Sequence, residues 1–356
     1  MLIYLRSYSD PQTCLLWYKM KSSSIKNIIF YGTDTLSTAV LSKIHTQGYN
    51  ISAVTKHSTS PVYQFCQKHG VPVEVFRKSE LPFGRSSSDY SGHLGVVASF
   101  GHMIPGRVIR SMSHGFVNIH PSLVPKYQGA APLPHTLLNG DKKYGVTVLE
   151  ALPRSFDQGR ILRQSHFDIP TSMSGSEFWS YTAGNMADVT HAFLREPSRC
   201  EPRSQDMSTS SPAPRISKLQ LKTLSRVCPH LQTADQIFNI SRCLDLYNLS
   251  IVVSWQGKTL KLLSVSIVND PHVRELARTR LRSGQFVLWD GLLIVKCADG
   301  TVLGVSRMVL PFKPIVSAAQ FYRDHCNARV EKVFCMEYSA SELDDLGTVQ
   351  KFQTCR

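Results

Sequence analysis

The chain has 356 residues, of which 42% are hydrophobic and 19% charged, and Lys and Arg outnumber Asp and Glu by 40 to 26. This composition excludes a wholly disordered chain, and the lack of any apolar run of about 18 residues excludes a membrane-spanning helix. The length predicts two domains. The formal net charge of +14 favours a polyanionic partner such as nucleic acid, although residence in mitochondria would explain it equally well.

The nine cysteines are scattered along the chain without a C-x-x-C pair. Their spacing matches neither a disulfide framework nor the ligand set of a zinc site. We therefore predict buried or idle thiols in a reducing compartment and no metal.

The amino-terminal segment has the composition of a targeting sequence. Its first 26 residues contain four basic residues, several serines and a single acid, Asp10. No clean apolar core and small-residue cleavage site follow the basic residues, so a secretory signal is disfavoured. We predict a mitochondrial transit segment over residues 1–26, and hence a location in the mitochondrial matrix.

Short apolar runs alternate with longer amphipathic segments from residue 27 onward. The runs predict strands at Asn27–Tyr31, Ile51–Thr55, Val71–Phe76, Leu94–Ser99, Gly115–His120 and Gly145–Glu150. The segments between them predict helices, among them Thr35–Gln47 and Pro61–His69. Because strands that alternate with helices form a mainly parallel sheet, the predicted fold class is α/β, with a Rossmann-like, doubly wound sheet.

This pattern ends with a helix predicted over Gly175–Arg195, after which the chain is rich in Ser, Pro and Arg. We predict a first domain over residues 27–197 and a linker over residues 198–214. Residues 215–334 follow another pattern, with a helix at Ala234–Leu246 and strands at Leu249–Trp255, Thr259–Ile267, Gln285–Trp289, Leu292–Cys297 and Val302–Val309. They predict a small antiparallel, OB-like β-barrel, followed by a tail over residues 335–356.

The second predicted domain is basic, with 17 Lys and Arg against 8 Asp and Glu. Four arginines cluster in what we predict to be a connection between strands, namely Arg274, Arg278, Arg280 and Arg282. Such a cluster can contact phosphates without reading bases, and a solvated basic loop is the alternative.

A candidate chemical site lies at the end of the strand Gly115–His120. Because side chains alternate along a strand, Asn118 and His120 share a face at its carboxyl end, where open α/β sheets bind ligands. An amide donor and an imidazole suit the stabilisation of an oxyanion, and Asp157, after a neighbouring strand, could hold the imidazole in one tautomer. By itself, N-x-H is more typical of a structural histidine at a strand end, and D-x-G is usually just a turn. The chain has no nucleophile elbow, P-loop, H-E-x-x-H or dinucleotide fingerprint near these residues.

The segment Val117–Leu162 resembles the core of the formyltransferase superfamily, and within it the methionyl-tRNA formyltransferases of mitochondrial type. FYGTD at Phe30–Asp34, VVASFGHMIP at Val96–Pro105 and PAPRIS at Pro212–Ser217 extend the resemblance over residues 27–330. It implies a catalytic trio of Asn118, His120 and Asp157. It implies a folate site made by Phe100, Gly101, His102, Met103, Ile104, Ser122, Leu123, Val124 and Pro125.

The resemblance also implies the reaction and its partners. The co-substrate is 10-formyltetrahydrofolate, and the acceptor is the α-amino group of methionine on initiator Met-tRNA, bound by a monomer without metal or membrane. The tRNA contacts are Lys56, Lys126 and the four arginines. Two alternatives are a formyltransferase or formyl-folate hydrolase with another acceptor, and an inactive RNA-binding relative.

This chain departs from the family pattern at three places. After Thr55 only residues 56–60 intervene before Pro61, where the family usually carries a long basic loop for the tRNA acceptor end. Lys126 and Gln128 stand where paired arginines are common, which removes one positive charge and its bidentate geometry. Gln158 stands where threonine is frequent.

Overall fold

The computed structural model describes residues 25–78, 81–84, 93–326 and 332–334. Most of the predicted transit segment and the whole of the predicted tail lie outside these residues. The chain divides into two compact units. Unit 1 comprises residues up to 132 together with 143–168 and 179–214, and unit 2 comprises residues 133–142, 169–178 and those from 215 onward.

Unit 1 is built on a seven-stranded sheet. In chain order its elements are β1 (Asn27–Tyr31), α1 (Thr35–Thr46), β2 (Asn50–Thr55), α2 (Pro61–His69), β3 (Val73–Val75), β4 (His93–Ala98), α3 (Gly106–Ser111), β5 (Phe116–His120), β6 (Lys126–Gln128), α4 (Pro132–Leu138), β7 (Lys143–Glu150), β8 (Ile161–Asp168), α5 (Gly175–Arg195) and β9 (Ser211–Pro212). Helix α4 ends and helix α5 begins in unit 2.

The strand order in this sheet is β3-β2-β1-β4-β5-β7-β8. The first five strands are parallel, whereas β7 and β8 run antiparallel to their neighbours. The predicted mainly parallel, doubly wound sheet is therefore confirmed. The strand order reverses between β1 and β4, and such a reversal opens a crevice at the carboxyl ends of the strands.

Burial explains why most elements of unit 1 could be predicted from the sequence. Residues 28–31 of β1 are all fully buried, as expected for a central strand covered on both faces. Helices α1 and α2 are capped by Asp34 and Ser60, whose side chains accept hydrogen bonds from the backbone of the first turn. Strand β8 was not predicted, because only its first two residues, Ile161 and Leu162, are buried, and the rest is a mostly polar, half-buried or exposed run at one edge of the sheet.

Unit 2 contains an antiparallel sheet with the order β10-β11-β14-β13-β12, and β15 pairs with β14. Its elements are α6 (Lys218–Ser225), α7 (Ala234–Asp245), β10 (Ile251–Trp255), β11 (Lys258–Ile267), α8 (Pro271–Arg280), β12 (Phe286–Trp289), β13 (Leu292–Lys296), β14 (Val302–Val309), β15 (Ile315–Ser317) and α9 (Ala318–His325). The five predicted strands are present. Within the described part of the chain no strand pairing joins β12 to β10, so the closed barrel stays a prediction.

The arginine-rich segment of unit 2 connects two strands, β11 and β12, as predicted, and most of it is a helix that the sequence did not predict. Asp270 caps the first turn of α8 and Pro271 occupies its first position, a favourable start for a helix. Only Val273 and Ala277 of this helix are buried. Because two apolar residues make a faint periodicity, the sequence pattern gave no clear helical signal.

The connecting segment, residues 196–214, lies along unit 1. Strand β9 pairs in parallel with β6, and the backbones of Ile161 and Arg203 exchange two hydrogen bonds, of 2.8 and 3.0 Å. The polar composition predicted a linker, and these backbone hydrogen bonds attach the segment to unit 1. No helix in the described residues is long and apolar enough to cross a bilayer.

Candidate active site

Strand β5 carries two of the three predicted catalytic side chains. In the sheet Asn118 lies between Val97 of β4 and Leu149 of β7, and His120 is paired with Thr147 of β7. Asn118 is half-buried, whereas His120 is only 5% exposed.

Asp157, in the loop between β7 and β8, meets both of these side chains. Its Oδ1 accepts a 2.6 Å hydrogen bond from Asn118 Nδ2 and lies 3.6 Å from His120 Nδ1. Its Oδ2 accepts a 2.9 Å bond from the backbone N–H of Gly129. The structure thus brings together three side chains that are separated by up to 39 residues.

The orientation of the His120 ring is set by its other nitrogen. His120 Nε2 lies 2.9 Å from the carbonyl oxygen of Tyr127. Because a carbonyl oxygen can only accept, Nε2 carries the hydrogen, and in the neutral ring Nδ1 bears the lone pair. The nitrogen that faces Asp157 is therefore the one able to take up or release a proton. No pattern in the sequence indicates that the Tyr127 carbonyl orients this ring.

The segment predicted to line the pteridine pocket divides into a buried and an exposed part. Phe100 and Ile104 are 2% and 7% exposed and belong to a hydrophobic cluster, in which Phe100 packs edge-on against Tyr31. Gly101, His102 and Met103 are exposed. The His102 ring stacks on Phe76 at 5.7 Å, and partial desolvation together with the charge of Lys56 lowers its pKa.

This segment is tied to the loop after β1 by a pair of side chains that the sequence analysis did not single out. Ser99 Oγ donates a 2.6 Å hydrogen bond to Asp34 Oδ2, and burial raises the pKa of the Asp34 carboxyl group. Both residues lie where the strand order reverses between β1 and β4. Asp34 ends the FYGTD motif, three residues after the first strand, and that position was a signal in the sequence.

The second predicted folate segment, residues 122–125, is held by its own hydrogen bonds. Ser122 Oγ donates a 2.7 Å hydrogen bond to the Lys126 carbonyl oxygen, and the Ser122 carbonyl oxygen accepts a 2.6 Å hydrogen bond from Thr147 Oγ1. The Val124 carbonyl accepts 3.1 Å from Gln164 Nε2. A Cβ at Gly145 would lie 2.2 Å from a methyl carbon of Leu123, so the glycine makes room for this leucine. Hydrogen bonds to neighbouring segments thus hold residues 122–125 in place, and their contact with folate stays a prediction.

The two lysines predicted to contact tRNA both lie in unit 1. Lys56 follows β2, near Gly101 and His102, and Lys126 is exposed at the start of β6. The short loop after Thr55 is a compact turn, closed by a 2.7 Å hydrogen bond between the hydroxyl groups of Thr55 and Ser60.

The four predicted arginine contacts lie in unit 2 and are all exposed. Arg274, Arg278 and Arg280 belong to α8, and Arg282 follows it. Arg278 is engaged by Glu275 through two hydrogen bonds of 2.6 and 2.8 Å.

The thiols and metal-ligating residues offer no second centre in the described part of the chain. No group of three or more His, Cys, Asp or Glu residues there could hold a metal ion. The six described cysteines are free and buried, as predicted for idle thiols, and burial raises the pKa of Cys66 to about 11.

Comparisons with known proteins show which family the chain resembles. The formyl transferase model matches residues 26–180, and the model of the formyl transferase C-terminal domain matches residues 226–325. The human protein named methionyl-tRNA formyltransferase, mitochondrial, is 28% identical over 338 residues, which cover 89% of this chain and 83% of the relative.

Solved structures support the fold. An N-formyltransferase from Helicobacter canadensis, in complex with folinic acid and dTDP-3-aminofucose, matches with a TM-score of 0.58 at 15% identity, covering 79% of this chain and 98% of its own. HypX from Aquifex aeolicus, in complex with tetrahydrofolic acid, matches with a TM-score of 0.54 at 15% identity, covering 89% of this chain and 51% of its own.

Proposed function

Because this chain belongs to the formyl transferase family, we propose that it transfers the formyl group of 10-formyltetrahydrofolate to the α-amino group of methionine on initiator Met-tRNA. The observation that carries the proposal is the contact of Asp157 with both Asn118 and His120. This contact occurs in a chain that resembles a methionyl-tRNA formyltransferase over 89% of its length.

Asn118 supplies the electrostatic part of the reaction. Attack of an amine on the formyl carbon places negative charge on the formyl oxygen, and a fixed amide donor stabilises that charge. One N–H of the Asn118 amide is held by Asp157. The second N–H is the donor to the developing oxyanion, and the bond to Asp157 fixes its direction.

His120 transfers a proton from the attacking amine to the leaving folate nitrogen, and Asp157 assists it. The methionine amine loses a proton after it attacks, and the folate nitrogen must gain one as it leaves. With Nε2 bound to the Tyr127 carbonyl, Nδ1 of His120 takes the first proton and returns one to the leaving nitrogen. The Asp157 carboxylate, 3.6 Å away, favours the intervening imidazolium form.

The folate site suits a flat heterocycle with an acidic tail. Exposed Met103 and His102 adjoin the reversal of strand order at β1 and β4, where α/β sheets bind ligands. Lys56, near His102, provides positive charge at this position. When bound there, the folate supplies the activated formyl group, while the chain supplies orientation and proton transfer.

The basic residues of unit 2 favour tRNA over a small molecule as the formyl acceptor. A small acceptor such as an amino sugar does not require a basic second unit, whereas tRNA carries a phosphate for every nucleotide. The exposed arginines of α8 offer contacts to such a backbone. The extended similarity to the human relative also favours Met-tRNA over another formyl acceptor.

We place the reaction in the mitochondrial matrix, where it would supply formyl-Met-tRNA for translation initiation. The composition of residues 1–26 and the similarity to a mitochondrial human protein support this location. Imaging of the chain with a carboxy-terminal fluorescent tag, with and without residues 1–26, tests it. Mitochondrial signal that persists without these residues would contradict a transit role for them.

The decisive experiment supplies the purified chain with 10-formyltetrahydrofolate and charged Met-tRNA. After deacylation, mass spectrometry should detect formyl-methionine. Parallel reactions with an amino-sugar nucleotide, and with water as the sole acceptor, should give little formyl sugar or free formate. Formate released at the same rate without any amine acceptor would instead identify a formyl-folate hydrolase.

A further inference from the structure

Asp157 has a left-handed backbone conformation, which aspartate and asparagine adopt more readily than most residues besides glycine. Its φ is 55°, in the left-handed region that residues other than glycine seldom occupy. Such a conformation persists where the surrounding structure imposes it, and it is concentrated at functional sites. The question is which contacts impose it.

The base of the Asp157 loop is closed by a salt bridge. Arg160 donates two hydrogen bonds, of 2.6 and 2.8 Å, to the carboxylate of Glu150. The Glu150 N–H in turn donates 3.0 Å to the Arg160 carbonyl. These bonds join the two ends of the loop, but they lie on either side of Asp157 and do not set its rotation.

The tip of the loop is held by two glutamine side chains. The Asp157 carbonyl accepts 2.8 Å hydrogen bonds from both Gln128 Nε2 and Gln205 Nε2. Gln205 Nε2 also donates 2.7 Å to the Gly159 carbonyl, and Gln205 Oε1 accepts 2.8 Å from Gln128 Nε2. Since a carbonyl oxygen has two lone pairs, the acceptor capacity of the Asp157 carbonyl is filled.

We propose that Gln205 is a positioning residue for Asp157. Its side chain bridges the carbonyl oxygens of Asp157 and Gly159. This bridge fixes the backbone of Asp157, whose side chain contacts Asn118 and His120. The inference rests on the proposed function, because it concerns the efficiency of the same reaction. It assigns a role in the active site to a residue of the connecting segment, which composition alone marks as a linker.

The connecting segment is itself fixed near Gln205. Two residues earlier, the Arg203 backbone pairs with Ile161 of β8, and its guanidinium donates 2.6 Å to Gln164. Six residues later, Ser211 begins the strand β9 that pairs with β6. Gln205 therefore extends from an anchored backbone, as a residue that positions another must.

The test is a pair of variants at position 205 with a matched control. Gln205→Ala removes the side chain. Gln205→Glu keeps the size of the side chain and one oxygen that can accept the hydrogen bond from Gln128. It replaces the amide nitrogen, which donates to the Asp157 and Gly159 carbonyl oxygens, by a second oxygen that cannot donate to them. Gln67→Ala, at an exposed position of α2, is the control. We expect kcat for formylation to fall on the order of 10- to 100-fold in both variants at position 205, with KM for either substrate within about twofold.

Action through Asp157 is tested by combining the variants. In an Asp157→Asn background, Gln205→Ala should lower kcat by less than about twofold, because the group that it positions has already been disabled. Losses that multiply in the double variant would overturn the proposal. So would an unchanged kcat in Gln205→Ala.

Hydrogen exchange provides a readout that does not depend on turnover. In Gln205→Ala, peptides covering residues 154–160 and the Gly129 N–H should exchange faster, while peptides of β1 and β4 should match the wild type. Unchanged exchange in the loop would overturn the positioning role even if the chain formylated nothing. Faster exchange throughout unit 1 would mean that Gln205 merely stabilises the unit, and would overturn it too. Absence of formyl-methionine with wild type and Gln67→Ala alike would instead contradict the proposed function.

Discussion

Asn118 Nδ2 donates a 2.6 Å hydrogen bond to Asp157 Oδ1, so the amide proposed to stabilise the oxyanion is oriented by the carboxylate proposed to stabilise the imidazolium. The two proposed catalytic functions are therefore coupled through one oxygen atom, because His120 Nδ1 lies 3.6 Å from that same atom. Disturbing Asp157 should impair both functions at once.

Replacement of Asn118 by alanine should lower kcat for formylation by about 10²- to 10³-fold, since loss of one oxyanion donor typically costs about 3–4 kcal/mol of transition-state stabilisation. KM for the folate and for Met-tRNA should change little, and so should the midpoint of thermal unfolding. Steady-state formylation and calorimetry on the same preparation measure both. An Asn118→Ala variant with near wild-type kcat would mean that another group stabilises the oxyanion.

The Gly159→Ala variant tests how tightly the Asp157 loop is packed. A Cβ at position 159 would lie 1.9 Å from the Glu150 carbonyl oxygen, whereas a Cβ at Gly184 would meet nothing within 4 Å. Gly159→Ala should therefore lower the free energy of unfolding by about 1–3 kcal/mol. Gly184→Ala, within helix α5, should raise it by about 0.5–1 kcal/mol. Denaturant titration of the two variants should give opposite signs.

Asp34 should make the stability of unit 1 depend on pH in the direction opposite to that of an ordinary salt-bridged acid. Burial raises its pKa in the folded chain, so between the unfolded and the folded pKa the folded state binds more protons. Stability attributable to Asp34 is therefore full below the unfolded pKa and is lost as pH rises through the folded pKa.

The matched variant for this prediction is Asp34→Asn, because asparagine also caps helices well and does not ionise. The free energy of unfolding of the wild type relative to Asp34→Asn should decrease as pH rises from about 4 to 7. Urea titrations at several pH values measure the difference. A difference that grows with pH would show that the hydrogen bonds from Ser37 and Ser99 outweigh the burial of the charge.

Binding of Met-tRNA should depend steeply on salt through the exposed arginines of α8. Arg274→Ala should weaken binding and reduce the slope of log Kd against log salt concentration by about 1. Arg278→Ala should have a smaller effect, because Glu275 already holds that guanidinium by two hydrogen bonds. Filter binding between about 50 and 200 mM salt measures both slopes. A slope that neither variant changes would place the tRNA contacts elsewhere.

The buried central strands of unit 1 were predictable because burial on both faces leaves a short apolar run that can be recognised without knowing which strands lie beside it. Strand β1 is such a run and was predicted with its exact bounds. Helix α8 was missed because its exposed, arginine-rich sequence buries only two residues. Its beginning is determined by the Asp270 cap, and a cap is a weak signal without periodicity.

The candidate site was likewise predictable where it depends on a local pattern and not where it depends on contacts between segments. Alternation along β5 was sufficient to place Asn118 and His120 on one face, since that relation is local to a strand. The meeting of Asp157 with them requires β7 to pair beside β5 and the following loop to turn back, which no local pattern specifies.

The sequence by itself determined the fold of unit 1, the family and the three residues that we propose for catalysis. Only the tertiary structure decided which atoms of those residues face one another, that Tyr127 sets the tautomer of His120, and that Gln205 reaches the Asp157 turn. The physical reason is that these relations are polar contacts between side chains and backbone groups that lie on different segments of the chain. Their distances and angles exist only after hydrophobic packing has brought the segments together.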